Sequence, residues 1–365
     1  MLDNPGLYVH LPWCIKKCPY CDFNSHPLKE DSDQAGYAAA LTTELKAKTS
    51  QETPKFHSVF FGGGTPSLFP PDTFATLLQM SSLTHTVEVT MEANPGTTEH
   101  LDFDQYLAAG INRLSLGVQT FNDVHLQTLG RIHSSDEITR AFNEAQEGGF
   151  DNINLDLMWG LPNQTVAEAI QDLETAIALG PEHISWYQLT IEPKTEFGAR
   201  PPILPVEAHL AEMEREGLQL LASAGYRRYE VSAYTRGRTS KHNTNYWEFG
   251  DYMGIGAGAH GKHTQGSKIT RTQNPHQPRV YLSKPLSGTQ SFVTETHFEF
   301  MLNALRLKDG VSFDCFVQKT GLAKDTLEPK WSQLIEKELV QTDRIATTDL
   351  GYRYLDTVVA EFLGT

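Results

Sequence analysis

The sequence predicts an α/β fold, a partial (β/α)6 barrel followed by a small C-terminal α+β domain. Three observations carry this. Six apolar, strand-like segments alternate with amphipathic, helix-like ones from Gly6 to about Tyr234. Apolar strands separated by helices pair in parallel and are covered by those helices. Six units are too few to close an eight-stranded barrel, so the sheet should stay open, with a doubly wound sheet as the alternative. From about Ser291 the alternation gives way to short helical segments.

The strand candidates, in order, are GLYVHLP, HSVFFGG, TVEVTMEAN, RLSLGVQ, NINLDLMWG and HISWYQLTI. The helix candidates include QAGYAAALTTELKAK, PDTFATLLQMSSL, SDEITRAFNEAQEG, TVAEAIQDLETAIALG and VEAHLAEMEREGLQLLASAG. Residues 1–235 form the barrel in this reading. Residues 236–290, rich in Gly, His and Asn and then in Pro, read as a connector with few helix signals. Residues 291–365 read as a winged-helix-like domain: three short helices, the strand–turn–strand candidate TDRIATTDLGYRYL, and a last helix DTVVAEFL.

Hydrophobic residues make up 39% of the 365, enough for a sizeable core. The formal net charge of −15 lacks the basic excess of a duplex-binding protein, so no nucleic-acid partner is expected. The start MLDNPGLYVHLPWC has neither the basic region nor the apolar run of a signal peptide. A cytoplasmic location follows as an expectation. In a reducing compartment four cysteines are better ligands than disulfide partners.

Three of those cysteines lie within eight residues. HLPWCIKKCPYCDFNSH places Cys14, Cys18 and Cys21 on a loop directly after the first strand candidate. Three thiolates on one loop can each hold one iron of a 4Fe–4S cubane. The fourth iron is then open to chelation by the amine and carboxylate of a small molecule. Lys16 and Lys17 offset part of the cluster's charge, and Tyr20 shields it from water. The competing reading is a zinc site that adds His10 or His26. A Cys18–Cys21 redox pair leaves Cys14 unexplained. Cys315, in the apolar context FDCFV, reads as a buried structural cysteine.

The C-x3-C-x2-C loop after a first strand resembles the radical S-adenosylmethionine superfamily. FFGGGTPS, EANPGT, LSLGVQTF, LGRIHS, NINLDLMWGLPNQT and HNTNYW resemble, within it, the HemW heme-chaperone family. That family is close to the oxygen-independent coproporphyrinogen III dehydrogenases. The resemblance spans essentially the whole chain. It implies three cofactors or cargoes: the 4Fe–4S cluster, S-adenosylmethionine and heme.

It also implies roles. Gly63, Gly64 and Thr65 contact the methionine amino group, and glycine permits that close approach. Glu92 faces the ribose or amine, and Tyr8 contacts the cofactor. Gln119, Arg131 and Asp156 match positions that hold a second cofactor molecule in the dehydrogenases. Read as plain residues, Arg131 and Asp156 also suit a structural ion pair, and Gln119 a loop cap. In HNTNYW, His242 is a candidate heme ligand, with Tyr246 and Trp247 to stack on a porphyrin. The bland alternative for His242 is a hydrogen-bonded loop histidine; His133 and His260 are rival ligands. Implied partners are heme and heme-acceptor proteins, membrane-associated respiratory proteins among them, and a homodimer is admitted.

Two functions compete: heme chaperone, and radical oxidative decarboxylation of coproporphyrinogen III in porphyrin biosynthesis. The dehydrogenases carry a further cysteine two residues after the cluster's last, where this chain has Asp22 and Phe23. They also have a long N-terminal arm, whereas 13 residues precede Cys14 here. Both differences favour the chaperone.

Overall fold

The six strand candidates form six strands: β1 (Gly6–Leu11), β2 (Phe56–Gly63), β3 (Leu83–Ala93), β4 (Arg113–Gln119), β5 (Ile153–Trp159) and β6 (His183–Gln188). The computed structural model describes residues 4–50, 54–97, 103–266, 268–293 and 295–364. Each strand pairs in parallel with the next. Period-two alternation sends Leu7, Val9, Leu11, Phe61, Met91, Leu116 and Leu155 into a dry core. The intervening positions, among them Glu92, Ser115 and Asp156, carry polar side chains on the opposite face.

Helices 34–49, 71–80, 135–147, 166–179 and 207–223 lie where the amphipathic patterns put them. Two begin with reciprocal capping boxes, Ser134 with Glu137 and Thr165 with Glu168, which satisfy otherwise orphaned backbone donors. Among the described residues none of the helices is long and apolar enough to cross a membrane.

The sheet extends beyond the six strands. β7 (Arg227–Glu230) and β8 (Ala233–Thr235) add antiparallel to the β6 side. β9 (Tyr252–Ile255) pairs in parallel with β1, and β10 (His260–Gln265), β11 (Lys268–Gln273) and β12 (Thr289–Phe292) follow antiparallel. The order is β12-β11-β10-β9-β1-β2-β3-β4-β5-β6-β8-β7, and the ends do not pair, so the barrel is partial.

Residues 236–290 therefore hold more structure than a connector. HNTNYW lies on a helix, Lys241–Trp247, whose N-cap Ser240 accepts from the Asn243 amide. These segments lack an apolar period of their own; their strands are specified by the open edge of β1. A second core gathers Phe300, Phe316, Trp331 and Phe362 from the C-terminal region with Phe249 and Ile269 from the sheet extension.

Two expectations there are corrected. The second half of TDRIATTDLGYRYL is a helix, Asp349–Arg353, because Thr348 caps it by accepting from the Gly351 amide; only isolated bridges join Val311 to Ile345 and Val340 to Thr347. Cys315 is half-buried at the rim of this core rather than enclosed by it.

Candidate functional site: a cysteine loop over the strand ends

The cysteine loop is stapled at its base. Trp13 packs edge-on to Tyr37 and stacks on Phe69, with centroids 5.0 and 5.7 Å away. Trp13–Cys14 pairs in parallel with His26–Pro27, closing the loop on itself. Lys17 Nζ donates to the carbonyls of Phe23 and Ser25 at 3.0 and 3.2 Å. Its first task is to hold the loop, beyond the charge-balancing role expected of it. Asn24 Nδ2 ties the loop to the sheet extension through the carbonyls of Ala257 and His276.

Cys14, Cys18 and Cys21 are free, half-buried thiols on one wall of a cavity of about 370 Å³. Burial pushes the Cys14 thiol up; a hydrogen bond with Thr65 works against this. Iron binding would displace such protons. The donor set fits a cubane better than a single ion. Among the described residues no three His, Cys, Asp or Glu side chains converge on one metal position, whereas a cubane takes each thiolate on a different iron. The proposed zinc ligands are committed elsewhere. His10 Nε2 donates to the Asn24 carbonyl at 2.9 Å and Nδ1 accepts from Tyr8 Oη at 2.9 Å. His26 Nε2 bonds Asn24 Oδ1 at 3.2 Å.

The glycine loop presses β2 against the cysteine loop. Gly63 has φ +117°, and a Cβ there would sit 2.4 Å from the His10 ring. A Cβ on Gly64 would lie 2.5 Å from the Trp13 carbonyl oxygen, the acceptor of the Thr65 amide at 2.8 Å. Only glycine permits this approach. Thr65 Oγ1 accepts from Asn94 Nδ2 at 2.8 Å, joining the loop to the end of β3.

The next strands complete the cavity. Glu92 Oε2 accepts from the Gly63 amide at 3.0 Å. Burial, with the nearby Asp156, raises its carboxyl to about 7 despite that bond. Asp156 is also raised by burial, opposed by hydrogen bonds from Ser115, Asn154 and Ser185. Gln119 sits at φ +72° on the end of β4 and its Oε1 accepts from Tyr187 Oη at 3.0 Å. Arg131 donates to Cys18 Sγ at 3.7 Å, to the Gly117 carbonyl at 2.7 Å and to Asn94 Oδ1, while its buried Nε has no partner among the described residues. Two buried carboxyls whose pKa values burial raises and a guanidinium with spare capacity make a pocket that a cationic, carboxylate-bearing ligand would complement.

The structure thus brings Cys14, Cys18, Tyr20 and Cys21 together with Gly63, Gly64 and Thr65, and with Glu92, Gln119, Arg131 and Asp156, around one cavity. It does not bring Tyr8 or His242 there. Tyr8 turns its hydroxyl to His10 and its ring toward Phe60, 6.3 Å away.

His242, the heme-ligand candidate, lies apart from this cavity. Its side chain is buried, Nδ1 bonds Ser58 Oγ at 2.9 Å, and Nε2 bonds Tyr246 Oη at 2.8 Å. Its ring stacks on Phe60 at 5.2 Å, and burial lowers its pKa to about 3. Neither nitrogen is available to iron while these bonds stand. Asn94, Ser115 and Tyr187 also line the cavity and were not singled out from the sequence. The signal was present: Asn94 lies within EANPGT, and Ser115 and Tyr187 fall on the polar alternate positions of RLSLGVQ and HISWYQLTI.

This architecture, cysteine loop and glycine loop at the C-terminal ends of an open parallel sheet, defines the radical S-adenosylmethionine class, and residues 8–176 match the family model described as the Radical SAM superfamily. That class implies a 4Fe–4S cluster and S-adenosylmethionine. The chain is 45% identical to the heme chaperone HemW of Haemophilus influenzae, over 98% of this chain and 97% of that one. It is 43% identical to the heme chaperone HemW of Escherichia coli, over 98% of both. The solved structure of coproporphyrinogen III oxidase (HemN) from Escherichia coli, a radical SAM enzyme, superposes with a TM-score of 0.82 at 22% identity, covering 99% of this chain and 90% of that one. The chain belongs to the HemW family.

Proposed function

We propose that this protein is a heme chaperone: it binds heme, holds a 4Fe–4S cluster on Cys14, Cys18 and Cys21 with S-adenosylmethionine beside it, and delivers heme to acceptor proteins. The observation that carries this is the likeness, from end to end, to relatives named heme chaperones. In this reading residues 1–235 hold the cluster and cofactor. Residues 236–290 and 291–365 form the cargo side. Acceptors include membrane-associated respiratory proteins, reached from the cytoplasm.

When bound, the cluster supplies one-electron chemistry and an open iron for the cofactor's amine and carboxylate. The chain's own residues orient that cofactor. Gly63 and Gly64 allow backbone approach, Glu92 and Asp156 offer carboxyls to positive charge, and Arg131 faces negative charge from beside Cys18. Tyr20, packed toward Phe197, limits water at the cluster.

The likeness to the coproporphyrinogen oxidase supports the fold alone, and Asp22 and Phe23 stand where the dehydrogenases have a further cysteine. One experiment separates the two functions. Reduced, reconstituted protein is titrated with heme and separately incubated with coproporphyrinogen III and S-adenosylmethionine. Heme binding without turnover is expected. Multiple turnovers to protoporphyrinogen IX would reject the chaperone reading.

A further inference from the structure

We propose that His183 is a positioning residue for the cofactor site: from one layer beneath the cavity it sets the orientation of Asp156 through Asn154. The proposal deepens the reading above, in which Asp156 faces S-adenosylmethionine, and rests on it.

Strand register builds the relay. Ser115, Asn154 and His183 lie side by side across β4, β5 and β6. Two residues further along β5, Asp156 points to the same face, one layer nearer the cavity. Asp156 and Ser115 line the cavity, whereas Asn154 and His183 do not. Both of these are shut away from solvent, at 1% and 2% exposure.

Asn154 is the hub, and both ends of its amide are fully used. Nδ2 donates to Asp156 Oδ1 at 2.8 Å and to Ser115 Oγ at 2.7 Å. Oδ1 accepts from Ser185 Oγ at 3.1 Å and from His183 Nδ1 at 2.6 Å. A carbonyl oxygen only accepts, so His183 Nδ1 carries a proton. Burial and the nearby Arg113 hold the His183 pKa well below its ordinary value, so the ring is neutral at neutral pH. Nε2 then accepts, and its partner at 2.8 Å, Tyr229 Oη, donates. Tyr229 Oη in turn accepts from the Ser240 amide at 3.3 Å, and Ser240 caps the helix that carries HNTNYW.

Every bond in this chain therefore points one way: Ser240 to Tyr229, to His183, to Asn154, to Asp156. Bonds aligned head to tail polarise one another, and the donating end of the chain lies at the Asp156 carboxyl. Ser115 Oγ donates to its other oxygen, Oδ2, at 2.9 Å. Both oxygens are thus held by the layer beneath, in the charged form that such bonds favour. Their remaining lone pairs are left for an ammonium or hydroxyl group of the cofactor. A ring that only filled space would need no particular proton. Without the Nδ1 proton, the Asn154 amide is free to turn its oxygen toward Asp156, where it repels the carboxylate.

The test uses full-length, cluster-reconstituted protein, titrated calorimetrically with S-adenosylmethionine in the absence of oxygen. Wild type is compared with Asp156→Asn, His183→Leu, His183→Asn and Tyr229→Phe. Iron and sulfide content and the chemical unfolding midpoint report whether the barrel is intact. His183→Leu and His183→Asn remove the same ring and leave side chains of similar size, but only asparagine keeps a donor near the Nδ1 position. His183→Leu should weaken S-adenosylmethionine binding about fivefold, as loss of about one hydrogen bond does, and His183→Asn should restore most of the affinity. Tyr229→Phe deletes one hydroxyl outside the cavity and should weaken binding in the same direction; it carries the test if His183→Leu does not fold. Asp156→Asn should weaken binding directly. If it does, while His183→Leu or Tyr229→Phe binds as wild type, or His183→Leu and His183→Asn lose affinity equally, the relay is overturned and the cofactor reading stands. Wild-type affinity in Asp156→Asn overturns the cofactor reading at Asp156 and the relay with it.

Discussion

The two ends of one parallel sheet treat polar side chains differently. At the C-terminal strand ends the cysteine thiols are free, burial pushes the Glu92 and Asp156 carboxyls up, and Arg131 Nε has no partner among the described residues. At the N-terminal ends, around Gly6, Ser58 and Glu88, the His242 and Glu88 side chains are fully engaged. His242 uses both ring nitrogens, and Glu88 accepts from the amides of Lys241 and His242. A saturated buried network fixes structure; an unsaturated one around a cavity awaits a ligand. The C-terminal face of parallel strands is where such sites form, because the loops there are free to vary.

The largest expected effect tests the unsaturated end. Replacing Cys14, Cys18 and Cys21 with Ala should abolish the ~4 irons and matching sulfide expected per chain. Cys315→Ala, half-buried in the second core, should retain them. Stoichiometric zinc without labile sulfide in the wild type, or loss of cluster in Cys315→Ala, would break the comparison at its functional end.

The saturated end should respond in stability. His242→Ala strips Ser58 and Tyr246 of a partner and opens space beside Phe60. A loss of about 3–5 kcal/mol in chemical unfolding is expected. The Soret maximum of bound hemin should be unchanged at a temperature where the variant is folded. A shifted Soret band with little loss of stability would place His242 on the iron after all.

The smallest effect sharpens the difference through pH. The Glu92 carboxyl rises from its ordinary 4.5 to about 7 in the folded protein. The folded state therefore holds a proton that the unfolded chain releases. Its contribution to stability is full below pH 4.5, declines as pH rises, and is lost above about 7. The 2.5-unit gap limits this to at most about 3 kcal/mol, less with partial solvent screening. Glu92→Gln should flatten the decline between pH 5 and 8 in the cofactor-free protein. An unchanged pH slope would mean that Glu92 ionises as if it were in water.

The sequence by itself determined the six β–α units, because strand and helix periods are local and survive without context. It determined the cysteine loop for the same reason: Cys14, Cys18 and Cys21 are neighbours in the chain. Gly63 and Gly64 were legible as a close approach, though not that the approach is to His10 and Trp13.

Tertiary structure decided the rest. HNTNYW looks alike whether His242 is free or bonded; Ser58, from a strand 184 positions away in the chain, made the difference. The Gly- and His-rich segment before residue 290 has no core of its own, so it became strand only by pairing with β1. Local pattern fixes which segments are regular. Burial and long-range partners decide which polar groups are already satisfied, and so which remain to bind.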